Sequence, residues 1–539
     1  MTGFRGAELA ASLEVACRRW PGRPAVTFAG STLTYRELWD RVETLARAYR
    51  RLGVVPGDRV VCQLRNCPEH VVAINAAWAC GAIHVGTDND LTGAELAWLA
   101  ADTEARVLLY QPALGTADPG GVVAAVAAAA PSTTVVGHGS LGSLPAPAAE
   151  SFPPSYPTGE ALLLLTSGTT GRPKAVRETL AACTAKMQFF ADAFTPGPED
   201  VHLLFLPMGH VFGLRLSQLA LLSGGHLVLQ ERFSPAEAWR LITVYRATVL
   251  PGMPTHLRLL LDAFDPDRHR AASLRWAISA ASRLPSDLAR RIYEVLGTEL
   301  LYVYGCSENF TTLTTERDEI LAGSVGHTVF AGPPGEAPDG TVRVVDPADH
   351  RPVPVGDTGE IAFGARRPVH YWRDADAATD GWYYTGDLGR LDPDGRLYVL
   401  GRLKELVDRG GLKVSPSEIE TVLAAHPGVA DAAVVGTPDP VLGEAICACV
   451  VPAASATVTR PLDLAPLDLA PLDLAAVREY LGVTLARHKL PDELAMVERI
   501  PRTKIGKVDR AALLAVVAAA GGAGERLRPG AGRPGVGRP

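Results

Sequence analysis

This sequence of 539 residues lacks several signals that would indicate a location or a partner. Its eight cysteines are scattered and include no C-x-x-C pair, so they predict neither a disulfide framework nor a zinc site. No window approaches eighteen uncharged apolar residues, and the N-terminus has no basic start followed by an apolar core. The net charge of −7 comes without a basic cluster outside the tail. We therefore expect a cytoplasmic protein, monomeric or homodimeric, that binds neither nucleic acid nor a membrane.

The composition is that of an ordinary globular protein, with 47% hydrophobic and 21% charged residues, and the chain is long enough for two or more domains. Over residues 10–110, strand-like runs such as DRVVCQL alternate with helical runs such as LTYRELWDRVETLARAYRRLG and HVVAINAAWACGA. This alternation predicts an α/β fold with mostly parallel sheets flanked by helices. After residue 405, a strand, a Gly-Gly turn, a helix and another strand predict a small α+β domain.

The segment most indicative of chemistry is 162–176, LLLLTSGTTGRPKAV. Four leucines predict a buried strand, and the hydroxyl and glycine residues after them predict a loop. Gly168 and Gly171 would let backbone N–H groups turn toward an anion, and Lys174 adds a mobile positive charge. Further donors are the hydroxyls of Thr166, Ser167, Thr169 and Thr170. Taken alone, the pattern also suits an ordinary polar turn, and it does not match the G-x-x-x-x-G-K-[ST] loop.

The string T-S-G-T-T-G-R-P-K resembles the signature of the adenylate-forming superfamily, which includes acyl-CoA and aryl-CoA synthetases, aryl-AMP ligases, luciferases and the adenylation domains of peptide synthetases. Four later segments are similar to further motifs of that family, in its order: YGCSE at 304–308, YTGD at 384–387, GRLKE at 401–405 and PRTKIGK at 501–507. The resemblance covers about residues 10–515. It implies a large adenylation domain (1–401) and a small mobile domain (402–515). The PLDLA repeat insertion (461–475) has no match in the family, and the Gly/Ala/Pro/Arg composition of residues 516–539 predicts a disordered tail.

The resemblance also implies a reaction in two steps. A carboxylate attacks the α-phosphorus of Mg·ATP and pyrophosphate leaves; a thiol then attacks the acyl-adenylate and AMP leaves. Lys507 would bridge the carboxylate and the α-phosphate oxygens, and Glu308, together with Thr166, would hold Mg²⁺. Lys404 would be the hinge about which the small domain rotates between the steps.

The nucleotide would be bound by the phosphate loop with Lys174, by the 304–308 motif and by Lys507. Tyr304, next to Gly305, would stack on adenine, and Ser307 would bond the substrate or a phosphate. Asp387 would accept both ribose hydroxyls, and Arg402 would contact the ribose or a phosphate. ATP, Mg²⁺ and a thiol co-substrate are therefore the expected cofactors.

The acid pocket is expected around His210, a candidate catalytic residue beside the substrate carboxylate. Val211 stands where amino-acid-activating relatives have Asp and hydroxybenzoate-activating relatives have Asn. Because valine can neither pair an ammonium nor accept a hydroxyl proton, Val211 and Phe212 predict an apolar or aromatic acid without an α-amino group. Ala280 and Ala281 replace the usual glycines of the pocket wall and predict a tighter pocket.

Three functions are compatible with these motifs. The first is a ligase that passes the acyl group of a small carboxylic acid to coenzyme A. The second loads an acyl or aminoacyl group onto the phosphopantetheine of an acyl carrier protein, which uses the same motifs. The third is a non-catalytic nucleotide-binding relative, which the presence of both Glu308 and Lys507 disfavours.

Overall fold

The computed structural model describes residues 12–89, 91–111, 119–143, 152–166, 174–308, 310–328, 341–364, 371–373, 381–410, 412–453, 472–503, 507–519 and 525–526. The chain divides into two compact units. The first unit comprises residues 1–341 and 363–383, and the second comprises 342–362 and 384–539. Because the chain leaves the first unit, returns and leaves again, the units are not simple consecutive halves. The predicted change of domain at residue 401 stays a prediction.

Helices and strands alternate along the first unit. Its helices are α1 (Leu13–Arg19), α2 (Tyr35–Arg51), α3 (Pro68–Ala79), α4 (Gly93–Asp102), α5 (Pro119–Ala129), α6 (Leu180–Phe194), α7 (Val211–Leu222), α8 (Pro235–Tyr245), α9 (Pro254–Asp262), α10 (Ser286–Arg291) and α11 (Arg317–Leu321). Its strands are β1 (Pro24–Phe28), β2 (Ser31–Thr34), β3 (Arg59–Gln63), β4 (Ile83–Gly86), β5 (Ala105–Tyr110), β6 (Thr134–Gly137), β7 (Glu160–Thr166), β8 (Lys174–Thr179), β9 (Val201–Leu204), β10 (His226–Leu229), β11 (Val249–Gly252), β12 (Trp276–Ser279), β13 (Glu299–Gly305), β14 (Phe310–Thr314) and β15 (His327–Thr328).

These strands form two sheets that are parallel through their middle. One has the order β6-β5-β3-β4-β7-β8, with only the edge pair β7 and β8 antiparallel. The other has the order β15-β14-β13-β12-β11-β9-β10-β1-β2 and is antiparallel only at its two ends. Core residues of the first sheet pack against α4 and α5, as expected for parallel strands covered by helices. The predicted α/β class of the large domain is confirmed.

Local sequence patterns account for most of these elements. The helix predicted from LTYRELWDRVETLARAYRRLG is α2, which begins at a capping box formed by Thr34 and Glu37. The predicted strand DRVVCQL is β3, the predicted buried helix is α3, and the four leucines lie in β7. Between β5 and β7, the described residues 119–143 contain α5 and then β6, which pairs with β5 as the edge strand of its sheet.

The second unit is α+β, as predicted. Its elements are β16 (Val342–Val345), β17 (Gly359–Gly364), β18 (Trp382–Leu391), β19 (Leu397–Arg402), β20 (Val407–Arg409), β21 (Leu412–Val414), α12 (Pro416–Ala424), β22 (Val429–Asp439), β23 (Gly443–Pro452), α13 (Leu474–Gly482), β24 (Glu493–Met496), α14 (Arg510–Ala519) and β25 (Glu525–Arg526). The ends of β17 and β18 extend into residues of the first unit. β16 to β19 form one sheet in chain order, and a second sheet has the order β21-β20-β23-β24-β25, with β22 also paired to β23.

The predicted disordered tail begins too early. Helix α14 continues to Ala519, four residues into the segment 516–539, because it packs on the second unit through buried Leu513 and its neighbours Leu514 and Val517. The PLDLA repeat lies outside the described residues up to position 471, and its last residues begin α13. None of the helices in the described part of the chain is both long enough and apolar enough to cross a membrane.

Two histidines in the first sheet and its covering helix make stability sensitive to acid. His84 in β4 and His70 in α3 are fully buried. Burial, and secondarily His70, lowers the pKa of His84 to about 3, and burial lowers that of His70 to about 4. Because these values lie below that of an unfolded histidine, the contribution to stability is complete above about pH 6.5 and is lost as pH falls below it.

We expect the difference between the folded and unfolded pKa of His84 alone to lower the free energy of unfolding by about 2 kcal/mol between pH 7 and pH 5. Urea unfolding of the wild type and of His84→Gln at pH 7, 6 and 5 measures it, since glutamine does not titrate in this range. The variant should show a shallower dependence on pH. Parallel curves for the two proteins would contradict the assignment.

Candidate active site

The predicted phosphate segment is flanked by two strands at the edge of a sheet. Thr166 at the end of β7 and Lys174 at the start of β8 are partners in antiparallel register. Leu162, Leu163 and Leu164 are buried, which anchors β7 in the core. The predicted contributors Ser167, Gly168, Thr169, Thr170 and Gly171 lie outside the described residues, as does the side chain of Thr166. A strand, rather than a helix, therefore follows the candidate loop.

Lys174 lies in one cluster with Glu308. The Lys174 Nζ atom is 4.8 Å from the centre of the Tyr371 ring, and the Tyr371 hydroxyl donates to Oε1 of Glu308 over 2.9 Å. The Tyr383 hydroxyl is 3.5 Å from that of Tyr371. Burial is the main cause that raises the pKa of both tyrosines well above the ordinary value. The charge of Glu308 raises both pKa values further, and for Tyr383 the effect of Cys306 is larger than that of Glu308. Both phenols are therefore neutral donors around neutral pH.

The 304–308 motif continues from β13, the outermost strand of the parallel part of the larger sheet. Tyr304 and Gly305 end β13, and Ser307 and Glu308 follow at once, all of them half-buried. Side chains at the carboxyl end of a parallel strand commonly form the ligand site of an α/β fold. This position suits the predicted contacts of Tyr304 and Ser307 with a nucleotide and of Glu308 with a metal.

His210 is held by a carboxylate that the sequence patterns did not identify. It is the N-cap residue of α7, and its Nε2 lies 2.6 Å from Oδ1 of Asp88. The two segments approach closely, because a Cβ placed on Gly209 would lie 1.9 Å from the backbone oxygen of Thr87. No local pattern in the sequence identifies Asp88, because its partner lies 122 positions away.

The remaining candidates for the acid pocket lie at the start of α7 and after β12. Val211 is half-buried and Phe212 is buried, consistent with apolar lining. Ala280 is buried, whereas Ala281 is exposed and has φ of +71°, a left-handed conformation that favours glycine. Ala281 therefore has a backbone conformation that favours the glycine expected at this position.

The predicted ribose residues are brought together in the second unit. Asp387 in β18 and Arg402 in β19 are register partners, and the Arg402 Nε lies 2.7 Å from Oδ1 of Asp387. Asp387 is only 7% exposed. The backbone directly before Asp387 is held in place, because the N–H of Gly386, at φ of +70°, donates to Oε1 of Glu360 over 2.8 Å. The carboxylate is thus oriented before any ribose binds.

The two predicted lysines of the second unit have different surroundings. Lys404 is exposed in a short 3-10 turn directly after Arg402. Lys507 is half-buried, its backbone N–H donates to Oγ1 of Thr503 over 3.2 Å, and its carbonyl accepts from the N–H of Thr503 over 2.7 Å. The main chain of Lys507 is therefore held by a local pair.

A buried group of charges adjoins the first-unit cluster. Arg215 of α7 donates to both carboxylate oxygens of Glu178 in β8, at 2.9 and 2.7 Å. Lys186 of α6 lies 2.8 Å from Oε1 of Glu178, and its Nζ also donates to the backbone oxygen of Glu308 over 3.3 Å. Although burial acts to raise it, the pKa of Glu178 is lowered by Arg215 and Lys186. This group ties the strand that begins at Lys174 to the helix that follows His210.

Comparisons with known proteins show which family the chain belongs to. The family model of AMP-binding enzymes matches residues 13–367, and that of the AMP-binding enzyme C-terminal domain matches residues 418–507. Triostin synthetase I of Streptomyces triostinicus is 34% identical over 528 residues, which are 95% of this chain and 94% of that protein. A salicylyl-CoA synthase / salicylate adenylyltransferase of Streptomyces sp is 32% identical over 543 residues, with 95% and 94% covered. ATP-bound MatB from Rhodopseudomonas palustris superposes with a TM-score of 0.79 at 29% identity, covering 94% of this chain and 99% of that one.

The fold and the ordered motifs define an adenylate-forming enzyme, and the chain belongs to the family of AMP-binding enzymes. It is an AMP-forming acid–thiol ligase, which activates a carboxylic acid with ATP as the acyl-adenylate and transfers the acyl group to a thiol. The predicted reaction class is confirmed, and the thiol is that of coenzyme A or of a carrier protein.

Proposed function

We propose that the protein activates an apolar or aromatic acid, such as a benzoate, and passes it to coenzyme A. The observation that carries the acid class is the start of α7, where His210 is followed by the apolar residues Val211 and Phe212. An ammonium or hydroxyl placed against Val211 would lose its water without gaining a partner, at a cost of about 1–3 kcal/mol. The name of the relative that acts on salicylate supports an aromatic ring, and only Val211 argues against a hydroxyl such as that of salicylate.

Mg·ATP is the proposed nucleotide substrate. Glu308 supplies a half-buried carboxylate, the donor type that Mg²⁺ prefers, with Lys174 in the same cluster. By the resemblance, the Thr166 hydroxyl would be a further ligand. When bound there, Mg²⁺ would supply positive charge against the negative charge of the leaving pyrophosphate. Lys174 would bind the departing phosphates, and by the resemblance Asp387 and Arg402 would orient the ribose.

The two chemical steps use the same acyl group. In the first, a carboxylate oxygen bonds to the α-phosphorus and the bond to pyrophosphate breaks. Lys507 stabilises the negative charge shared by the carboxylate and α-phosphate oxygens, and His210, held by Asp88, neighbours the carboxylate. In the second, the thiol attacks the carbonyl and AMP leaves. Four expectations stay predictions: rotation at Lys404 between the steps, the domain bounds, a cytoplasmic location, and a monomeric or dimeric state.

The carrier-protein alternative is kept because the chemistry of the thiol is identical. Coenzyme A and a holo-carrier protein both present a phosphopantetheine thiol, so the first step does not separate them. The relative named as both a CoA synthase and an adenylyltransferase supports testing both acceptors.

The test is acid-dependent ATP–pyrophosphate exchange over a panel of benzoates, medium-chain acids and amino acids, followed by thioester assays with coenzyme A and with a holo-carrier protein. We expect exchange with the apolar and aromatic acids and thioester formation with coenzyme A. Exchange with amino acids only would contradict the interpretation of Val211. Transfer to the carrier protein but not to coenzyme A would establish the alternative, and no exchange with any acid would contradict the proposed activity.

A further inference from the structure

Tyr371 lies outside every motif that the sequence patterns identified, yet it is built into the candidate site. It forms an isolated antiparallel bridge with Val176, and the N–H of the next residue, Trp372, donates to the backbone oxygen of Ala175 over 2.8 Å. These contacts hold the main chain of Tyr371 beside the first residues of β8. Tyr371 is 8% exposed, so its side chain is packed.

The side chain of Tyr371 contacts two proposed ligand-binding groups at once. Its hydroxyl donates to Oε1 of Glu308, and its ring faces the Nζ of Lys174. The hydroxyl is also within 3.5 Å of the Tyr383 hydroxyl, whose ring packs 4.9 Å from that of Phe363. Glu308 and Lys174 are 134 positions apart in the sequence, and one tyrosine joins them.

The two contacts are chemically distinct. A neutral phenol that donates to Oε1 fixes the rotation of the Glu308 carboxylate and leaves Oε2 and the remaining lone pairs available for a cation. The face of the ring attracts the ammonium of Lys174 and helps to fix its position, and the ring itself carries no charge that would neutralise it. A carboxylate in the same place would cancel that charge.

We propose that Tyr371 is a positioning residue for Mg·ATP: its hydroxyl orients Glu308 for the metal, and its ring orients Lys174 for a phosphate. This inference rests on the proposed function of Glu308 and Lys174. The two effects can be measured separately. Tyr371→Phe removes only the hydroxyl, whereas Tyr371→Leu removes both the hydroxyl and the aromatic ring.

The experiment compares Tyr371→Phe, Tyr371→Leu and Tyr383→Phe with the wild type. Mn²⁺ binding to the enzyme with a non-hydrolysable ATP analogue is followed by electron paramagnetic resonance. Binding of the analogue without metal is followed by calorimetry. ATP–pyrophosphate exchange is measured over a range of Mg²⁺ concentrations, and circular dichroism checks the folding of each variant.

For Tyr371→Phe we expect about tenfold weaker Mn²⁺ binding and an equal rise in the Mg²⁺ requirement, with unchanged metal-free binding of the analogue. Tyr371→Leu should in addition weaken metal-free binding about threefold. Tyr383→Phe, which retains the bond to Glu308, should have the smaller effect on metal binding. Wild-type metal binding in Tyr371→Phe, or a loss of turnover with an unchanged metal requirement, would overturn the inference. A wild-type enzyme without metal-dependent exchange would instead refute the proposed function.

Discussion

Replacing Lys507 with alanine is expected to lower acid-dependent ATP–pyrophosphate exchange by about 10²-fold or more while the protein remains folded. The expected loss is large because a positioned charge in the first step acts on oxygens whose negative charge grows in the transition state. The backbone pair between Lys507 and Thr503 involves main-chain atoms and the threonine hydroxyl, so the substitution leaves it intact.

Two measurements separate catalysis from a general defect. Lys489→Ala is the matched control, since this lysine belongs to the same unit and its Nζ pairs with Glu418. Transfer to the thiol from a synthetic acyl-adenylate should stay within about twofold of the wild type, because Lys507 is assigned to the first step. Equal losses in both half-reactions, or equal losses in the two lysine variants, would contradict that assignment.

Local patterns were sufficient for the elements but not for the contacts between them. The leucines of β7 and the helical run of α2 each depend on neighbouring residues, so their hydrophobic patterns were informative. The fold class followed from the alternation of such elements. The ordered motifs then identified the family, and with it the candidate residues for ATP.

The residues that sequence reasoning missed act across the fold. Asp88 meets His210 over 122 positions, and Tyr371 meets Glu308 over 63. No local period encodes such pairs, because they depend on which strand ends the topology brings together. Arg215 did carry a signal, since it is a charge inside the otherwise apolar run HVFGLRLSQLALL, and a fully buried arginine requires a partner.

The partner of Arg215 is Glu178. We expect Glu178→Gln to lower the free energy of unfolding by about 3–5 kcal/mol. Glu178 accepts from Arg215 and pairs with Lys186, and the exposed fractions of the three side chains are 3%, 0% and 18%. Glutamine keeps the shape but removes the negative charge that pairs with the buried Arg215 and the half-buried Lys186. Because desolvation already lowers the pKa of Lys186, this lysine will lose its proton more readily in the variant.

Glu237→Gln is the matched control, because it removes the same charge from an exposed pair with Arg240, where about 1 kcal/mol or less is expected. The shift of the urea midpoint at constant slope measures both losses. Adding Lys186→Met to Glu178→Gln should recover part of the stability, since it removes one of the uncompensated cations. A midpoint for Glu178→Gln equal to that of Glu237→Gln would refute the buried-charge account. The same Lys186 donates to the backbone oxygen of Glu308, so a hydrogen bond joins the charge group to the proposed metal ligand.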